Sequence, residues 1–492
     1  MGVTDGEKLD VVDRLEVIPD PVSLIESMRA VGYSVEAAIA DIIDNSLSAD
    51  ARLIQVGYDA SESPYVAILD DGCGMTPSEL TNAMRHGSSN PAEKRKAGDL
   101  GRFGLGLKTA SLSQCRNLTV VSKRDGTVSA RRWDLDYVQE THQWLVVVPQ
   151  ADELRSLPFY GKLEAQPSGT LVIWQDLDRL TAGSRNPQHE MTARMAPLLE
   201  HLALVFHRFG QVEEGTPPVV ITVNGQDLPP RDPFLAENHF RQVLEPQMIR
   251  HERGNIVVAP FVLPPISKLS AEEIELAGGR DGLRGTQGFY VYRNRRLVIW
   301  GTWFRLEPKK EFFKLTRIRV DMPNSFDDLW VLDIKKSSAY PPDTIRKRLK
   351  ELIPHFANAS RRTITYPGRR DTTAAAGSLW MRSEPRHGVF RYEPNLEHPL
   401  IRGFAQSLGK EEQRRLQLIL ECLGSALPLD SIYSDMCNDE HGSDRDASKA
   451  ELIELAAELH QVTGIQMDRL FKMDPLSRYP ELHEAIREAL EP

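Results

Sequence analysis

The sequence predicts an α+β protein of three parts, and three observations carry that prediction. From about residue 20 to 180, β-branched runs alternate with helix-period stretches: "RLIQVGYD" (52–59), "PYVAILDD" (64–71), "RNLTVVSK" (116–123), "QWLVVVP" (143–149) and "GTLVIWQDL" (169–177). The mixture returns from about 185 to 360 in "PPVVITVNG", "NIVVAPFVL", "GFYVYRNRRLVIW" and "DDLWVLDI", followed by a basic helix after "YPPDT". Beyond about 375 only helical period is left, in "GKEEQRRLQLILECLGSALP" and "SKAELIELAAELHQVTG", around the acidic loop "SDMCNDEHGSDRD". The expected domains are therefore an α/β domain over 1–182, a second with βαβ character over 183–360, and an all-helical region over 379–492. Between the last two, residues 361–378 are polar, small and Pro/Gly-containing, which reads as a linker.

Composition sets the class. A chain of 492 residues can bury two or three separate cores. A net charge of −10 argues against a generic nucleic-acid-coating protein and leaves room for local basic patches. Cys73, Cys115, Cys422 and Cys437 are scattered, with neither a disulfide framework nor zinc spacing, which suits a reducing, cytoplasmic setting. The opening "MGVTDGEKLDVVDRLEV" lacks a basic head and apolar run, and runs such as "WLVVVP" are too short for a bilayer, so no membrane is expected.

Three stretches of the first part stand out. In "AIADIIDNSLSADA" (38–51), Asp41, Asp44 and Asn45 interrupt the apolar face of Ile39, Ile42 and Ile43. Such a pattern is either the wet side of an amphipathic helix or the lining of a site. In "AILDDGCGMT" (67–76), an apolar strand runs straight into Asp70, Asp71, Gly72, Gly74 and Met75. In "GDLGRFGLGLKTAS" (98–111), Gly101, Gly104 and Gly106 precede Lys108 and a helical pattern, a loop whose backbone can approach an anion beside a helix N-terminus. Alone, the second is a strand-to-turn junction and the third a packing loop.

Taken in order, and closed by "SGTLVIWQDL" (168–177), these stretches resemble the four motifs of the Bergerat ATP-binding fold, the superfamily of DNA gyrase B, large heat-shock chaperones, sensor histidine kinases and MutL. The first resembles the "E-L-V-E-N-S-x-D-A" helix of MutL and its counterpart in microrchidia (MORC) ATPases. "RFGLGLKTAS" is closer to MORC, and "RHGSSN" (85–90) resembles the lid of both. The resemblance is motif-specific over about 20–180, architectural over about 185–360, and gives out beyond. It implies a Bergerat α/β sandwich followed by a transducer-like domain, and it turns the polar helix face toward a nucleotide.

The resemblance also implies roles. Asn45 would ligate Mg²⁺ through its amide oxygen. Asp41, four residues earlier on the same face, takes the general-base position, where relatives usually carry the longer Glu. Asp44 is the next candidate for that role. Asp70 would accept a hydrogen bond from the adenine amine, with Gly72, Gly74 and Met75 forming the turn beneath the base and Thr170 supporting the contact through water. Asp71 has no direct role. Residues 76–103 would be the ATP lid. Gly101, Gly104 and Gly106 would wrap the β- and γ-phosphates, with Lys108 adding charge. Lys335 or Lys336 would reach the γ-phosphate from the second domain. Neighbours in a strand point to opposite faces, so only one can do so, and Lys336 is favoured.

Partners follow less directly. Residues 345–370 hold eight Lys/Arg against one acid, a concentration suited to non-specific contact with DNA backbone, and equally a solvated basic helix. The expected protein is an ATP-driven switch that closes its lid and forms a homodimer. The bacterial MORC-like group adds an expected role in DNA-directed defence or restriction, alongside other proteins. The alternative is a chaperone-like or signalling clamp acting on a protein client.

Overall fold

Alternating apolar residues let one sheet bury both faces in the first part of the chain. In the computed structural model, its strands are β1 Leu53–Asp59, β2 Tyr65–Asp70, β3 Asn117–Arg124, β4 Thr127–Asp134, β5 Gly169–Gln175, β6 Val220–Val223 and β7 Gln226–Asp227. They lie in the order β4-β3-β5-β2-β1-β6-β7. The described residues are 17–30, 32–87, 106–181, 186–212, 216–327, 329–332, 339–365, 377–386, 389–428, 449–473, 476–478 and 482–490. Val66 and Ile68 of β2, with Val172 and Trp174 of β5, join a core with α1 (Pro21–Arg29) and α2 (Val35–Ser48). Their neighbours Ala67, Leu69, Leu171 and Ile173 face Leu154, Leu157 and Leu163 on the opposite side. This is the period of two expected of a sheet covered on both faces.

Two features of this sheet differ from the sequence reading. The boundary at 182/183 cuts through it: Met191, Met195, Leu198 and Leu202 of the two following helices fill its core, and β6 pairs in parallel with β1. The run at 143–149 forms no strand, only a bridge between Val147 and Arg132. It lies beyond the edge strand β4: Trp144 and Val146 pack against the core as loop residues, while Leu145 and Val148 are left 40% and 61% exposed.

The second sheet has strands β8 Gln242–Val243, β9 Gln247–His251, β10 Gly254–Val262, β11 Gly288–Arg293, β12 Arg296–Thr302 and β13 Thr316–Met322. Its order is β12-β11-β13-β10-β8, with β9 also on β10. β11 and β13 are its parallel pair, and the Ala271–Gly278 helix lies in the connection from β10 to β11. One face packs Val258, Val291, Ile318 and Val320 against Ile345, Leu349, Ile353 and Phe356 of the Asp343–Thr365 helix. A two-stranded pair, β14 Val331–Leu332 with β15 Ala339–Tyr340, precedes that helix. The helix runs on into the segment expected as a linker, up to the residues just before Pro367-Gly368.

The chain divides into two compact units, Met1–Thr365 and Tyr366–Pro492. The second is largely helical, with Leu452, Ala456, Leu470, Phe471 and Ile486 at its core. It opens on a hairpin the periodicity did not show, β16 Trp380–Arg386 with β17 Val389–Pro394. Charges and prolines interrupt the alternation there, leaving too few apolar residues for a strand signal. Among the described residues, no helix is long and apolar enough to cross a membrane.

Candidate functional site

The site grows from α2. Ala38, Ile39, Ile42 and Ile43 seat this helix in the core, yet Asp41, Asp44 and Ser46 are buried as well, while Asn45 is exposed. A buried polar group is tolerated only with a partner. The Tyr33 hydroxyl donates to Asp41 Oδ2 at 3.3 Å, and Ser46 Oγ donates to Asp70 Oδ2 at 2.8 Å. Asp44 faces Arg296 of β12, whose Nε lies 3.2 Å from both carboxylate oxygens. That engagement removes Asp44 from the role of reserve base.

Asp70 ends β2 with its carboxyl held on three sides. Oδ1 accepts from Gly72 N at 2.9 Å and Thr170 N at 3.1 Å, while Oδ2 accepts from Ser46. A carboxylate offers about four acceptor positions, so one on Oδ2 is left for a further donor. Burial pushes the Asp70 carboxyl above its ordinary pKa, and the hydrogen bonds from Ser46, Gly72 and Thr170 pull the other way.

Behind Asp70, hydroxyls fix the turn. Ser122 Oγ accepts from Met75 N at 2.8 Å and donates to Gly169 O at 3.1 Å, so the 3.0 Å contact with Thr170 Oγ1 has Thr170 as donor. Ser168 Oγ donates to Gly72 O at 2.8 Å. Gly74 has φ +66°, and a Cβ there would sit 2.0 Å from Lys123 O. At Gly72 a Cβ would sit 2.8 Å from Ala49 O, where the end of α2 meets the turn. Asp71 accepts from Arg52 N and Leu53 N at 2.7 and 2.9 Å, which makes it a brace for the start of β1.

The third motif lies partly outside the described residues, as do Gly101, Gly104 and most of the expected lid. Gly106 begins α4 (Gly106–Leu112), where a Cβ would meet nothing within 4 Å among the described residues. Lys108 was expected to face phosphate. It is buried, and Nζ donates to Ala83 O at 2.8 Å at the end of α3 (Pro77–Ala83). Burial lowers its pKa to about 8. Nearby, the His86 ring packs at 5.3 Å on both Trp133 and Trp144, its two nitrogens without a partner among the described residues. Burial, reinforced by the charge of Lys108, takes the His86 pKa down to about 4. Lys335 and Lys336 lie outside the described residues.

Asp41, Asn45, Asp70, Gly72, Gly74, Met75 and Thr170 thus belong to α2, the end of β2, the turn after it, and β5, all within one sandwich. Ser46, Ser122, Tyr33 and Arg296 escaped the sequence reading. Ser46 alone had a signal, as the serine beside Asn45 in the motif itself. Among the described residues no cluster of three or more His, Cys, Asp or Glu could hold a metal ion. A Mg²⁺ held here would draw on one amide oxygen plus phosphate and water oxygens, a donor set that suits this ion.

Comparison with known proteins agrees with this geometry. A family profile described as "Histidine kinase-, DNA gyrase B-, and HSP90-like ATPase" matches residues 33–170. The chain is 34% identical over 95 residues to ATPase morc-1 of Caenorhabditis elegans, covering 19% of this chain and 11% of that protein. It is 27% identical over 116 residues to ATPase MORC2 of Homo sapiens, covering 23% and 11%. Similarity to DNA mismatch repair protein MutL of Paramagnetospirillum magneticum is longer: 25% over 309 residues, covering 61% of this chain and 44% of that one. The chain therefore aligns with about a tenth of these MORC relatives and under half of this MutL.

Proposed function

We propose that this chain, whose residues 33–170 match a Bergerat-type ATPase profile and which is similar to MORC and MutL proteins, binds ATP, hydrolyses it to ADP and phosphate, and uses the cycle as a conformational switch. The observation that carries the reading is Asp70. Its carboxyl is held by Ser46, Gly72 and Thr170 with one acceptor position left over, which suits the exocyclic amine of adenine and would repel the carbonyl of guanine. Met75 and the Gly72–Gly74 turn lie beneath the base. Thr170 keeps Ser122 and the Met75 amide in register.

In this reading Asn45 would hold Mg²⁺ through its amide oxygen, and the ion would supply neutralisation of phosphate charge. Asp41 accepts the proton of the attacking water as its oxygen bonds to the γ-phosphorus and the bond to the leaving ADP oxygen breaks. Tyr33 steadies the shorter carboxylate. Gly101, Gly104 and Gly106 wrap the phosphates. Lys108 and either Lys335 or Lys336 provide positive charge, Lys108 after leaving Ala83. Closure of the lid over ATP then favours a homodimer, because only the γ-phosphate distinguishes the two nucleotide states.

DNA is the proposed client. The Asp343–Thr365 helix turns its apolar stripe to the second sheet and leaves Lys347, Arg348 and Lys350 exposed, a charged face suited to phosphodiester without base reading. Service in a defence or restriction system, alongside other proteins and in the cytoplasm, is the finer form of this proposal. The nucleotide reading is tested by calorimetry with ATP and Mg²⁺. Asp70→Asn puts its amide donor either against the adenine amine and the Ser46 hydroxyl or against the Gly72 and Thr170 N–H groups, so its ATP binding should fall at least ~100-fold. Wild-type affinity in Asp70→Asn would overturn the adenine assignment.

A further inference from the structure

A second buried contact ties the site to the other sheet. The turn between β11 and β12 is Arg293-Asn294-Arg295-Arg296, with φ +48° at Asn294 and +71° at Arg295, the left-handed pair of a tight hairpin. Each arginine has a different task. Arg293 grips Asp327 with two 2.6 Å bonds and so stays with its own sheet. Arg295 Nη2 donates to Arg208 O at 2.6 Å, its guanidinium 4.9 Å from the centre of the Phe209 ring. Arg296 reaches α2, where Nε meets both oxygens of Asp44, while Nη1 donates to Leu297 O at 2.6 Å. The guanidinium also stands 5.2 Å from the centre of the Phe206 ring.

Arg296 and Asp44 are only 5% and 3% exposed. A buried ion pair is a poor source of stability, because desolvating two charges offsets most of their attraction, and an apolar pair of similar volume often serves as well. Its location on α2 suggests another use. Asp44 directly precedes Asn45 and follows Asp41 by three residues, and successive residues of a helix turn by about 100°. Fixing Asp44 from outside therefore fixes the rotation of α2 about its axis, and with it the aim of Asp41 and Asn45. We propose that Arg296 is a positioning residue for ATP hydrolysis: through Asp44 it sets the helix that carries the base and the metal ligand, and makes their geometry depend on the second sheet. The inference rests on the hydrolytic reading of the site.

Three variants of the full chain test it, each measured for melting temperature, ATP affinity and kcat. Arg296→Met leaves Asp44 buried without this partner and should lower both Tm and kcat. Asp44→Asn with Arg296→Met removes both charges; Tm should return to near wild type while kcat stays about tenfold or more below it at an ATP affinity within about threefold, the signature of lost orientation. Arg296→Lys keeps the charge and loses the two-oxygen grip, and should keep the fold with kcat down about threefold or more. Wild-type kcat in a folded double variant, or in Arg296→Lys should the double variant fail to fold, makes the pair purely structural and overturns the proposal. A wild-type protein that binds no ATP overturns the underlying reading instead.

Discussion

Asp41 and Asp70 are both buried carboxylates, and their neighbours separate their tasks. Asp70 is saturated on three sides and fixed at a strand end, as a recognition group must be; Asp41 has the Tyr33 hydroxyl at 3.3 Å and stands on the helix that presents Asn45. Two half-buried histidines with buried ring nitrogens give the site region a pH dependence of calculable sign. His201 is held down to about 3 by burial and the charge of Arg296, and His86 down to about 4 by burial and Lys108. Unfolded histidine titrates near 6.5, so below that pH the unfolded chain binds protons the folded chain refuses, and stability present at pH 7 is lost as pH falls toward 4. Each histidine contributes a slope of up to ~1.4 kcal/mol per pH unit in that window. His201→Gln should remove about one histidine's share of the slope between pH 6.5 and 5 in urea unfolding; an unaltered slope would show that His201 titrates normally. Asp41, Asn45 and Asp70 stood out in the sequence because chemistry restricts their types, whereas Arg296 gave no signal before its contact with Asp44 was seen. Ser122 and Tyr33 gave none either, since a hydroxyl in a strand or before a helix is ordinary until its partner is known.

At the scale of elements, α2 and the turn after β2 were readable because both break a local rule. Acids on a buried helix face and two glycines after an apolar strand have few cheap explanations. The run at 143–149 misled for the opposite reason: its local pattern is a good strand, but it lies outside an edge strand and makes one bridge. Strand β6 was recognised as a strand and assigned to the wrong sheet, because pairing with β1 is a long-range fact that periodicity does not carry. The turn itself gives a direct test. Gly74 combines φ +66° with the Lys123 carbonyl 2.0 Å from the position of a Cβ. Gly74→Ala should cost ~2 kcal/mol or more, since neither the backbone angle nor a backbone oxygen can easily yield. Chemical denaturation would measure the loss, and a change under about 0.5 kcal/mol would mean that the turn is looser than its geometry implies.

Across the whole of Met1–Thr365, the two sheets meet the site unequally. The first builds it, and the second reaches it through the β11–β12 turn and Arg296. That arrangement suits a protein in which an event at one sheet must be felt at another. The central claim is that α2 and β2 form a hydrolytic site in which Asp41 activates water. Phosphate release from ATP tests it most directly, with wild-type protein beside Asp41→Ala and nucleotide affinity measured on both. Asp41→Ala should keep a similar ATP affinity and hydrolyse at least ~10²-fold more slowly, the usual loss when a general base is removed. Equal rates in the two proteins would contradict that claim.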